Sequence, residues 1–111
     1  MITTIALLKA REGLSRDEFV DYYENRHVPL ILGLAPSPAL YTRNYLPEIG
    51  ARGFPADFDV ITHMKFADEG TRGAWLALVL AEGSGVAEDE ARFLDRSRTR
   101  SWTVEEHSGS R

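Results

Sequence analysis

His27 has the side chain and setting best suited to chemistry, because an imidazole titrates near neutrality and can give or take a proton unaided. It stands two residues before Pro29, which removes a backbone donor and disfavours helical geometry at Val28. A kink there leaves carbonyls unpaired beside the imidazole. A core histidine bonded to such a carbonyl is the plainer use of the same residue. His63 is the second candidate, on a strand face with Asp59, Ile61 and Lys65. If both histidines reach one pocket, unequal burial would separate their proton affinities and divide acid from base. Otherwise His63 belongs to a subunit interface or to the solvated end of its strand. Tyr41, Arg43 and Tyr45 alternate along another strand and offer phenol and guanidinium groups to a substrate carboxylate or enolate oxygen. Cross-strand pairing is their alternative. Tyr23 and Trp75 complete the expected substrate contacts, although residues at such helical spacing also build cores.

Composition narrows the chemistry. The chain has 111 residues, no cysteine, and 17 acidic against 13 basic side chains, the basic ones scattered along the sequence. A dispersed, net acidic balance argues against a nucleic-acid partner. Disulfides, thiolate nucleophiles and cysteine-built zinc sites are excluded, and a reducing cytoplasm suits the chain. No H-E-x-x-H spacing, glycine-rich nucleotide loop or G-x-S-x-G elbow occurs. Proton transfer without metal or cofactor is what the residue types leave. No apolar run approaches the roughly 20 residues that cross a bilayer, and Lys9 and Arg11 come too early for a signal-peptide core. Neither secretion nor a membrane partner is expected.

The elements that position these residues follow from the hydrophobic pattern. Ile2 to Lys9 is rich in β-branched and aliphatic residues and predicts a first, central strand. Ser15 with Glu18 three residues on forms a capping box, with Leu14 and Phe19 as its hydrophobic staple. The helix it opens carries Phe19, Tyr22, Tyr23, His27, Leu30, Ile31 and Leu34 on one face. Pro36 and Pro38 break it. Strands are predicted over Ala39 to Leu46, Phe58 to Phe66 and Thr99 to Glu106, with helices over Asp68 to Ala81 and Ala87 to Asp95. The acidic pair Asp89 and Glu90 is expected to serve a helix N-terminus. Pro47 to Asp57, rich in glycine and proline, is expected to form a flap. The order is the ferredoxin-like βαββαβ of an α+β domain over 1–106, a four-stranded antiparallel sheet with its helices on one face. Residues 107–111 are expected to form a flexible tail. The uncovered sheet face, which also carries large side chains, predicts a homodimer.

Lys9, Gly13-Leu14-Ser15-Arg16-Asp17-Glu18-Phe19, Tyr22-Tyr23 and Arg26-His27-Val28-Pro29-Leu30 together resemble the EthD-like family of dimeric α+β barrels. Phe58-Asp59, Phe66, Asp89-Glu90, Phe93-Leu94-Asp95 and Val104-Glu105-Glu106 look like its later landmarks, so the resemblance covers nearly the whole chain. It implies a ferredoxin-like protomer, a dimer whose sheets face each other, and a small-molecule pocket between sheet and helices. The family histidine of its H-x-P stretch matches His27. The third strand departs from the pattern, with His63 and Lys65 where the family often shows a carboxylate and a tryptophan. The resemblance implies no single reaction. The expected function is cofactor-free isomerisation, dehydration or decarboxylation of an aromatic, polyketide-like metabolite. Cofactor-independent oxygenation of a phenol or anthrone and a non-catalytic ligand-binding dimer are the alternatives.

Overall fold

The structure, a computed structural model, describes residues 1–47 and 58–109. Four strands, β1 (Ile2–Leu8), β2 (Leu40–Tyr45), β3 (Val60–Phe66) and β4 (Arg100–Val104), pair antiparallel in the order β2-β3-β1-β4. β1 is central, as its apolar run predicts. Helices α1 (Arg16–Tyr22) and α2 (Val28–Leu34) follow β1, while α3 (Glu69–Val79) and α4 (Val86–Phe93) follow β3. The ferredoxin-like α+β order read from the sequence is the one observed. Boundaries shift by one or two residues, and the predicted flap falls almost wholly on 48–57, outside the described residues.

The capping box forms as its spacing requires. Ser15 Oγ accepts from the Glu18 amide at 3.1 Å, and Glu18 Oε1 accepts from the Ser15 amide at 2.8 Å. Two of the donors that every helix start leaves unpaired are thereby satisfied. Leu14 packs against the same apolar cluster as Phe19, completing the staple.

The expected interruption at Pro29 takes a definite form. Between α1 and α2 the chain makes a five-residue π turn, Tyr23–His27, in which the Val28 amide reaches back to the Tyr23 carbonyl. Widening the coil by one residue makes room for the proline ring without ending the helix. It also keeps Tyr23 and His27 on the buried side.

Register settles which sheet face meets the helices. Tyr41, Arg43 and Tyr45 stand opposite Met64, Thr62 and Val60. These residues, with Ala6 and Leu8 of β1, face the helices, because Tyr41 and Tyr45 pack on the buried cluster of Phe19, Tyr23, Val60 and Phe93. A second cluster of Ile31, Ala35, Val79 and Val86 lies beside it, and Tyr41 touches both. The opposite face carries Ile5, Leu7, Ile61, His63, Lys65, Trp102 and Val104. No helix of the described residues is long and apolar enough to cross a membrane.

Candidate proton-transfer site

His27 closes the π turn, and its side chain is buried between helix and sheet; the residue is 6% exposed. Its ring packs on Phe93 at 4.8 Å and edge-on against Tyr23 at 5.6 Å. The partner of its Nδ1 is the carboxylate of Asp89 on α4, with Oδ2 at 2.8 Å. This corrects two readings of the sequence. The imidazole does not rely on a carbonyl freed by Pro29, and Asp89, although it stands in the first turn of α4, sends its carboxylate to His27. The other oxygen of Asp89 accepts from the Tyr22 hydroxyl at 2.6 Å, and Tyr22 stacks on Phe93 at 5.2 Å. An ionised Asp89 accepting from Nδ1–H selects the tautomer with a lone pair on Nε2. That is the arrangement of an oriented general base.

Glu90, the next residue on α4, is half-buried and near enough to His27 to feel its charge. Burial holds its carboxyl above the usual carboxylate range, and the imidazole and Arg96 pull it partly back. Arg96 Nε lies 3.4 Å from it. The Glu90 carboxyl therefore retains its proton more readily than an exposed one, within the field of the imidazole.

Tyr41, Arg43 and Tyr45 are on the helix side, as substrate contact requires, but the polar atoms of Arg43 and Tyr45 are already engaged with the protein. Arg43 donates to both oxygens of Glu24, at 2.9 and 2.6 Å, and Tyr45 donates to the same carboxylate at 2.6 Å. The guanidinium lies over the Tyr41 ring at 4.7 Å. Arg43 holds the Glu24 carboxyl below its usual value, while burial raises the phenols of Tyr41 and Tyr45. Tyr23 shares a hydrogen bond with Thr62 at 2.6 Å in full burial, which pushes its phenol well above its ordinary value. Tyr23 and Tyr41 therefore stay protonated near neutral pH and can donate to an oxyanion but not serve as bases.

His63 lies on the opposite face of the sheet, so the expectation that it shares a pocket with His27 is not met. Its Nε2 is 3.7 Å from Glu106, beyond hydrogen-bonding reach, and Glu106 is held by Lys65 at 2.6 Å. The strict two-residue alternation of β3 put His63 and the helix-facing Thr62 on opposite sides, and the sequence alone did not say which side was inner. Trp75 packs on Phe66 at 5.4 Å, away from the His27 cluster. Asp89, Glu90, Glu24 and Tyr22 were not assigned to the site from sequence. The buried-face position of Tyr22 beside Tyr23 was one available signal and the Asp89-Glu90 landmark of the family resemblance another; Glu24 gave none.

Two cavities flank the site without being lined by His27. One, of about 550 Å³, is bounded by Lys9, Arg16, Phe19, Tyr45, Leu46 and Asp59 at one end of the sheet. The other, of about 460 Å³, lies at the Phe66 and Trp75 end. Among the described residues, no group of three or more His, Asp or Glu side chains could hold a metal ion.

The fold recurs in solved structures of low sequence identity. An EthD family protein from Bacillus halodurans superposes with a TM-score of 0.67 at 18% identity, over 96% of this chain and 100% of that one. A NIPSNAP-like domain protein from Burkholderia xenovorans gives 0.65 at 16% identity, over 99% and 88%. HapK from Hahella chejuensis gives 0.63 at 16%, over 99% and 95%. No curated protein matches the chain in sequence. The EthD domain pattern itself matches residues 11–97, a stretch that runs from the turn before α1 through α4 and includes His27, Asp89 and Glu90. The chain therefore belongs to the EthD domain family.

Proposed function

We propose that this protein is a proton-transfer enzyme for a small enolisable molecule, an aromatic or polyketide-like metabolite being the class its aromatic interior suits. His27 Nε2 takes a proton from the substrate and later returns one, completing an isomerisation, dehydration or decarboxylation. The observation that carries this reading is the 2.8 Å contact of His27 Nδ1 with the partly buried Asp89 carboxylate. That contact fixes the tautomer and stabilises the imidazolium that forms once Nε2 is protonated. Glu90 is the second proton-carrying group, and Tyr41 and Tyr23 supply neutral donors for the enolate oxygen. His27 is nearly enclosed, at 6% exposed. Apolar enclosure of that kind strengthens the interaction of charge with fixed dipoles.

The working unit is a homodimer built on the open sheet face. Its support is the run of Ile5, Leu7, Ile61, Trp102 and Val104 on a face that no helix of the described residues covers, with Trp102 50% exposed. A large apolar side chain left open on a sheet face, here on the edge strand β4, favours sheet-on-sheet association.

The enzymatic reading is tested by assaying His27→Gln against aromatic β-keto acids and 1,3-diketones. General acid–base groups contribute roughly 10²- to 10⁴-fold, so kcat should fall by that factor in a variant that still folds. Wild-type turnover in folded His27→Gln would reduce the histidine to a core residue.

A further inference from the structure

The cavity at the Phe66 end of the sheet is separate from the His27 cluster and has its own chemistry. Its volume of about 460 Å³ falls within the range of small-molecule sites. Pro36, Phe66, Ala74, Trp75 and Leu78 make its walls largely apolar. Into this setting the fold brings the Trp75 indole, whose Nε1–H is enclosed and has no acceptor among the described residues. A buried donor left without a partner is costly, roughly 1–3 kcal/mol, and such groups are few in folded proteins.

The one charged side chain of the wall, Asp68, is not that acceptor. Its Oδ1 caps α3, accepting from the Thr71 amide at 2.7 Å and from the Thr71 hydroxyl at 2.8 Å. Those bonds hold its carboxyl below the usual value, so it remains a negative charge beside the cavity. No lysine or arginine lines the wall. An anionic guest would meet repulsion without compensation, whereas a neutral one would not.

We propose that this cavity binds a small neutral molecule with an apolar or aromatic body and a carbonyl oxygen, which accepts the Trp75 Nε1–H. Phe66 and Leu78 pack against its body, and the indole fixes its orientation. The assignment rests on the cavity and the orphaned donor and not on the His27 reading, so the two can fail separately.

Trp102, on the opposite sheet face, is the chain's other tryptophan. The Trp102→Phe variant therefore shows a single indole N–H resonance, which reports directly on Trp75. Acetophenone is the probe, α-methylstyrene its isostere lacking the oxygen, and benzoate its anionic counterpart. The Trp75 indole resonance should move saturably downfield with acetophenone. α-Methylstyrene and benzoate should each bind about tenfold more weakly or worse, as the loss of one hydrogen bond or one uncompensated charge implies. Ala74→Phe, which fills the cavity from its exposed rim, should abolish the shift, and His27→Gln should leave it unchanged. Equal binding of acetophenone and α-methylstyrene would overturn the assignment of the indole as the recognition group. Absence of any saturable shift would overturn the site itself.

Discussion

At the scale of single residues, the chemistry rests on pairs that the chain brings together over long separations. His27 stood out in the sequence because its type and its H-x-P setting are local properties. Asp89 did not, because it lies 62 residues away and meets the imidazole only when α4 packs on the π turn. The same holds for Glu24, which was an anonymous helix acid until β2 set Arg43 and Tyr45 against it. That pair has a pH signature. Arg43 holds the Glu24 carboxyl below its ordinary value of 4.5, so the unfolded chain takes up the proton first as pH falls. The pair's stabilisation is complete above the unfolded value and is lost as pH drops through the depressed folded one. Glu24→Gln should cost about 1 kcal/mol at pH 7 and show a shallower acid limb below pH 4.5, measured by denaturant unfolding at stepped pH. Partial solvent exposure keeps the figure small.

At the scale of elements, what was legible was whatever local pattern fixes. The capping box named the start of α1, and the period-two alternation named β2 and β3. Ser15→Ala should destabilise the fold by about 1 kcal/mol with an unchanged denaturant m-value, since it removes one cap without altering the surface exposed on unfolding. The π turn was legible only as an interruption. Pro29 forbids the regular hydrogen bond, but whether the helix breaks, bends or widens depends on the packing of Tyr23 and His27 against Phe93. Which face of β3 turned inward was likewise beyond the sequence. Both faces carry large side chains, and the choice sent Thr62 to Tyr23 and His63 to the other side. A candidate site with two histidines thus became one with a histidine and two carboxylates.

At the scale of the whole molecule, order and periodicity were enough for the ferredoxin-like topology, because few arrangements of βαββαβ bury both helical stripes on one sheet. The open face makes a prediction of its own. Ile5 sits between His63 and Trp102 in the middle of that face, so Ile5→Glu should convert a dimer to monomers in sedimentation equilibrium. A wild-type monomer at micromolar concentration would contradict the association. The central claim concerns the closed interior between helices and sheet, where one imidazole is aligned by one carboxylate. Its most direct test is the rate at which deuterium from D₂O enters the acidic methylene of benzoylacetone, followed by proton NMR for the wild type, His27→Gln and Asp89→Asn. The account predicts exchange above the buffer rate in the wild type and a fall of roughly 10²-fold or more in both variants. Wild-type exchange in folded His27→Gln would contradict it.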